Sequence, residues 1–330
     1  MSNGTLESGP EQLSEAVRRL RDGRCVAFPT ETVYGLGADA MRSGAVEAVF
    51  RVKQRPPANP LIVHVGDEAM ARERVCAEWP EAAASLARAF WPGPLTLVLP
   101  SRGEVPEVVR AGGATVGVRC PAHPLALALI ETFGGPIVGP SANRSGGVSP
   151  TTAAHVSSEF EPEDVFVLDG GACRTGIEST VVRIGETLRV LRSGVIGAGE
   201  LAEASGCAVE SGPRGFEVIG ATAESPGLLG PHYRPRTSVV LAEAATIDGA
   251  EFPAAAVLAR AATPTSYAAM IRMPQDAWGY AARLYAALRE ADAVGADQIV
   301  VEAPPSVGDH PEESVWAAVT ERLGRAASVG

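Results

Sequence analysis

The sequence predicts an α/β protein of two domains: a first with a twisted mixed sheet and a cavity at its strand ends, then a smaller α/β domain. Three observations predict it. Short apolar runs of strand length alternate with amphipathic helical patterns along the chain. The pattern fades between about Ser211 and Arg236, where prolines and glycines replace periodic apolar residues. The chain has 330 residues and is 46% hydrophobic, enough for one large core or two ordinary ones. The boundaries expected are 1–210 for the first domain, 211–236 for a linker and 237–330 for the second.

The elements follow in order. Leu13, Ala16, Val17 and Leu20 fall at helical spacing over Glu11–Leu20. Cys25–Phe28 reads as a short buried strand that Pro29 ends. The next stretch, TETVYGLGADA, reads as a hydroxyl- and glycine-rich turn after a strand, where backbone can approach a ligand closely. Ser43 is expected to cap a helix running to Val52. Gln54–Pro60 holds three prolines and is excluded from helix. Leu61–Val65 reads as a strand with His64 inside it. Glu81–Phe90 is helical, Trp91–Pro94 a rigid turn, and Leu95–Leu99 and Val116–Arg119 are strands.

Pro124–Phe133 has proline in its first turn, as helices favour. Pro136–Val138 is a buried strand that runs into the loop GPSANRSGGVSPT. That loop's amides and hydroxyls suit an anion. Val165–Leu168, Ser179–Ile184 and Leu188–Leu191 read as strands, the last two joined as a hairpin through Gly185-Glu186-Thr187. Gly199–Ala204 is a short helix. Beyond the linker, Thr237–Leu241, Ala254–Leu258 and Gln298–Val301 read as strands, and Ala277–Glu290 and Glu312–Leu323 as helices. That alternation makes the second domain Rossmann-like.

Charge and composition narrow the function. The net charge of −11 argues against a basic nucleic-acid binder. No apolar run reaches the ~18 residues of a membrane span. The first residues do not read as a secretory signal, and the five cysteines are widely spaced without CxxC. Reduced thiols in a cytoplasmic protein are therefore expected. There is no Walker pattern, no GxGxxG after a strand and no GxSxG elbow.

One feature stands out against this background. Lys53 is the single lysine among 28 basic residues, and Arg55 lies two positions on. An ammonium and a guanidinium on one proline-held loop suit a polyanion such as a nucleotide phosphate chain.

Six segments then carry a resemblance: FPTETVYGLGADA, KQRPPANPLIVHV, FWPGPLTLVLP, VGVRCP, GPSANRSGGVSPT and GIESTVV. In this order they resemble the YrdC-like family of threonylcarbamoyl-AMP synthases. The linker ending HYRP and the α/β tail resemble the longer, two-domain members. The resemblance implies a nucleotide cavity in the first domain. It implies condensation of L-threonine, bicarbonate and ATP to threonylcarbamoyl-AMP, with release of pyrophosphate and water. The product would pass to threonylcarbamoyl-transferase proteins acting on tRNA, in the cytoplasm.

By the same resemblance, Lys53, Arg55, Ser141 and Asn143 match the catalytic KxR and SxN motifs. Thr32, His64, Arg119 and Ser179 would hold threonine. Arg55, Asn59, Thr115, Ser141, Ser149, Arg192 and Tyr233 would hold ATP. Mg²⁺ is expected on the triphosphate, with no dedicated metal ligands from the protein. Lys53 is expected to act as a point charge whose loss hurts turnover more than fold. Residues Ser225–Pro235 are the expected lid, with His232 and Tyr233 reaching the nucleotide. Two alternatives remain: a double-stranded RNA-binding module without chemistry, and a transfer module that uses carbamoyl-phosphate.

Overall fold

A computed structural model describes residues 9–211, 232–305 and 312–327. The chain divides into two compact units. Met1–Ser145, Pro150–Arg174 and Glu178–Leu229 make the first; Gly146–Ser149, Thr175–Ile177 and Gly230–Gly330 make the second.

In the first unit, helix α1 (Pro10–Arg21) has proline at its start, and its Glu15 pairs with Arg18 and Arg19 on the exposed side. Its apolar stripe of Ala16, Val17 and Leu20 is buried against strand β1 (Cys25–Phe28) and helix α6 (Pro124–Phe133). The core there comprises Val26, Phe28, Leu125, Leu129, Ile130 and Ile137. The tight turn expected after β1 contains a strand, β2 (Gly35–Asp39), paired antiparallel with β1. Glycine permits this: a Cβ on Gly35 would lie 2.8 Å from the Phe28 ring. The alternating glycines that read as a turn are there to let Phe28 lie flat against the neighbouring strand.

Helix α2 (Ser43–Lys53) follows. Ser43 is its first helical residue and not its cap; Arg42 holds the cap position, with no side-chain hydrogen bond. Gln54 ends it in the left-handed region. Strand β3 (Ile62–His64) comes next. Short helix α3 (Glu68–Met70) and a π-helical turn (Ala71–Val75) lead to α4 (Glu81–Phe90) and β4 (Leu95–Pro100).

Helix α5 (Glu107–Arg110) precedes β5 (Thr115–Arg119); β6 (Ile137–Val138), α7 (Ala153–Ser157) and β7 (Val165–Val167) follow α6. The hairpin β8 (Thr180–Arg183) and β9 (Leu188–Arg192) forms as the turn residues predict. Helix α8 (Ala198–Ser205) and β10 (Val209–Ser211) follow it. The short elements α3, α5, α7 and β10 are too brief for periodicity to reveal. The ten strands form one mixed sheet in the order β10-β9-β8-β4-β5-β3-β6-β2-β1-β7.

The second unit holds a four-stranded, fully parallel sheet in the order β11-β14-β12-β13. Its strands are β11 (Ser238–Ala242), β12 (Glu251–Ala259), β13 (Ser266–Arg272) and β14 (Gln298–Glu302). Helices α9 (Ala244–Ile247), α10 (Ala277–Ala293) and α11 (Glu313–Ala327) belong to it. Asp276 caps α10 by accepting from the Gly279 amide at 2.7 Å. Strand β13 escapes a sequence reading because one face is exposed and its apolar residues do not alternate cleanly. Among the described residues no helix is long and apolar enough to cross a membrane.

Candidate active site

Strand register builds the site in the first unit. His64 on β3 lies opposite Arg119 on β5. One step beyond the Leu97–Val118 pair, Thr96 on β4 faces Arg119. Thr96 pairs in turn with Val181 on β8, and Val181 with Arg192 on β9. Paired residues share a sheet face. One face therefore carries His64, Arg119, Thr96 and Arg192 in a row across five strands, with Ser179 just before β8 on the same side. All five are buried.

Two separate clusters of hydrogen bonds hold parts of the row. The hydroxyls of Thr96 and Ser179 lie 2.8 Å apart. Arg192 donates from Nε to the Ser179 carbonyl and from Nη2 to its hydroxyl, both at 3.1 Å. Arg119 donates from Nε to the Gly93 carbonyl at 3.1 Å and from Nη1 to Thr32 Oγ1 at 3.0 Å. Thr32 is held by Thr30, whose hydroxyl is 2.8 Å from its own. Sequence reasoning missed Thr96 and Glu31, which stands 2.7 Å from Arg119. The signal for each is a polar residue set inside an apolar or hydroxyl-rich motif next to a strand end.

His64 is a neutral imidazole. Burial, and then the nearby Arg119 charge, push its pKa down to about 3. Its ring stands edge-on to Phe28, and its Nδ1 has no hydrogen-bond partner among the described residues. Gly139 lies against it. A Cβ there would come within 2.7 Å of the imidazole and 2.8 Å of Phe28, so only glycine lets the chain pass.

From Gly139 the loop runs to the lysine. Leu36 donates to the Pro140 carbonyl at 2.7 Å, and Ala142 to the Tyr34 carbonyl at 2.7 Å, so β2 holds the loop in place. The Lys53 ammonium donates to the carbonyl oxygens of Ser141 and Asn143. The Lys53 carbonyl in turn accepts from the Ser145 amide at 2.9 Å. Lys53 is 1% exposed. Burial first, and then the Arg55 charge, hold its pKa well below the usual lysine value. The side chain thus ties the loop together as well as carrying charge, a role that the point-charge expectation did not include.

The other expected residues take distinct places. Arg55 donates to the carbonyls of Asn59 (3.4 Å) and Pro60 (3.1 Å). Asn59 is buried, and its Oδ1 has no partner among the described residues. Thr115 begins β5 on the face that Arg119 occupies, but four residues along a strand set the two roughly 13 Å apart. Between them lies Gly117, which adds no side chain to that face. Ser149 and Tyr233 are grouped with the second unit. Tyr233 is buried there, stacked on Tyr285 at 5.5 Å with the Arg322 guanidinium over its ring. Residues 212–231, most of the expected lid, lie outside the described residues.

Residues 18–194 match a family model described as Telomere recombination, the Sua5/YciO/YrdC domain. Residues 196–328 match a second, described as the C-terminal domain of threonylcarbamoyl-AMP synthase. The threonylcarbamoyl-AMP synthase of Pyrococcus abyssi is 45% identical over 68% of this chain and 66% of its own length, just under two thirds of it. That of Schizosaccharomyces pombe is 34% identical over 92% of this chain and 85% of its own. A crystal structure of P. abyssi Sua5 complexed with L-threonine is similar at a TM-score of 0.86 and 36% identity, covering 96% of this chain and 94% of that one. The chain belongs to the threonylcarbamoyl-AMP synthase family, in the form that carries both domains.

Proposed function

We propose that the chain condenses L-threonine, bicarbonate and ATP to threonylcarbamoyl-AMP, releasing pyrophosphate and water. The observation that carries this reading is the burial of four basic side chains, Lys53, Arg55, Arg119 and Arg192, in one unit, with hydroxyls bonded to two of them and Arg119 paired with Glu31. The amine of threonine becomes a carbamate, whose oxygen attacks the α-phosphate as pyrophosphate leaves. Both partners are anions, and fixed positive charge is what lowers their repulsion. Low-dielectric surroundings make each such charge count for more than it would in water.

In this reading Arg119, Thr32, His64 and Ser179 hold threonine. The P. abyssi structure with bound L-threonine supports that class of ligand. Lys53, Arg55, Ser141 and Asn143 face the carbamate and phosphates, and Asn59, Thr115 and Arg192 the rest of ATP. For Ser149 and Tyr233 the assignment to ATP rests on the family resemblance. Magnesium would arrive on the triphosphate. It would screen phosphate charge there. We further propose that the product feeds threonylcarbamoyl-transferase proteins acting on tRNA in the cytoplasm.

One assay tests the reading. Purified protein with ATP, L-threonine, bicarbonate and Mg²⁺ should release pyrophosphate only when threonine is present. Binding of double-stranded RNA with no pyrophosphate would favour a binding module. Hydrolysis of carbamoyl-phosphate in its place would favour a carbamoyl-transfer module.

A further inference from the structure

We propose that Glu31 is a positioning residue for the substrate carboxylate: it fixes and neutralises the Arg119 guanidinium while leaving hydrogen-bond donors of that guanidinium for the ligand. The inference rests on the reading that Arg119 holds threonine.

Glu31 is 5% exposed, and its two oxygens do different work. Oε2 accepts from the Ala122 amide at 3.0 Å, which ties it to the turn just beyond β5. Oε1 stands 2.7 Å from Arg119 Nη2. The contact is an ion pair, and neither Oε1 nor Nη2 has a hydrogen-bond partner among the described residues. Arg119 is itself 4% exposed. Its Nε and Nη1 are committed to Gly93 and Thr32. The terminal nitrogen beside the carboxylate is therefore held in place and charge-balanced, with donors unspent.

The local chain explains the placement. Glu31 and Thr32 are consecutive, yet both meet one guanidinium. The bonds from Thr30 Oγ1 make this possible: it accepts from the Thr32 amide at 3.1 Å and donates to the Val33 carbonyl at 2.6 Å. The loop is thereby curled so that neighbouring side chains converge.

A guanidinium fixed on two nitrogens and electrically balanced on the third needs little reorganisation to receive a carboxylate. Without Glu31, Arg119 would be an uncompensated buried charge, free to draw in some other anion or to re-aim. The residue acts through Arg119 and does not need to touch the substrate itself.

Two variants separate positioning from mere structural support. Glu31→Gln keeps the size and one acceptor but removes the charge; Glu31→Asp keeps the charge and shortens the reach. We expect Glu31→Gln to raise KM for threonine about tenfold, the worth of one charge-assisted hydrogen bond, with KM for ATP unchanged. Glu31→Asp should fall between it and the wild type. Adding Arg119→Lys to Glu31→Gln should cost less than the two single effects combined, because both act on one contact. Threonine binding followed by calorimetry without ATP should weaken in parallel.

An unchanged threonine KM in folded Glu31→Gln would overturn the proposal. So would an equal rise in both KM values, or a lowered thermal midpoint with normal kinetics. If Glu31→Gln does not fold, Glu31→Asp decides by the same readouts. A wild-type protein that neither binds threonine nor releases pyrophosphate would refute the functional reading instead.

Discussion

Arg192 donates to the Ser179 hydroxyl at 3.1 Å, and the same hydroxyl lies 2.8 Å from Thr96 Oγ1. One buried oxygen therefore joins three strand-end groups that are far apart in the chain. Ser179→Ala should leave the Thr96 hydroxyl short of a partner and remove one acceptor from Arg192. We expect a loss of about 1–2 kcal/mol in urea unfolding. KM should rise for threonine through the lost hydroxyl and for ATP through the loosened Arg192. A variant with wild-type stability and unchanged KM values would show that the hydroxyl is incidental.

Lys53 ties two backbone carbonyls of the Ser141–Asn143 loop with one ammonium. Lys53→Ala should abolish measurable turnover. It should also cost about 2 kcal/mol of stability, because two carbonyl oxygens and a cavity are left in a buried position. Lys53→Arg should not restore activity, since a planar fork cannot take the place of a compact ammonium between two carbonyls. Pyrophosphate release and a thermal melt on the same preparations check both halves.

His64 makes folding sensitive to acid. Its pKa is lowered to about 3 in the fold, below the ordinary value of 6.5. Between those limits the unfolded chain binds more protons than the native one, so stability rises with pH. On acidification from about 6.5 toward 3, His64 alone should remove up to about 1.4 kcal/mol per pH unit. The Arg119 charge, across the β3–β5 pair, adds to the penalty. His64→Gln should flatten the stability profile in that window, measured by urea melts at successive pH values. An unaltered slope would show that the imidazole takes up its proton in the native state.

Much of the fold was legible because its signals are local. Helices α4 and α6 and strand β1 fall at the bounds that apolar spacing and proline positions predict. Strand β2 was not legible, because glycines that serve a close approach to Phe28 look the same in sequence as glycines that serve a turn. Strand β13 was hidden by its half-exposed face. The cap at Ser43 failed for a different reason: a serine beside a helix start is a candidate cap, but the backbone turns one residue earlier, at Arg42.

The candidate site divides in the same way. The order of six motifs identifies the family and names Lys53, Arg55, Arg119, Ser141 and Asn143 without any coordinates. Glu31 and Thr96 carry no such label, since an acid and a threonine are ordinary residues until a buried guanidinium and a buried serine stand beside them.

Taken alone, the sequence determined the longer helices and most of the strands, the parting into two units and the presence of one lysine among many arginines. Those properties follow from spacing along a few neighbouring residues and from composition. Only the tertiary structure decided that His64, Arg119, Thr96 and Arg192 share one row. Strand pairing sets that row, and pairing is chosen by how distant apolar faces bury each other, which no local stretch of sequence encodes.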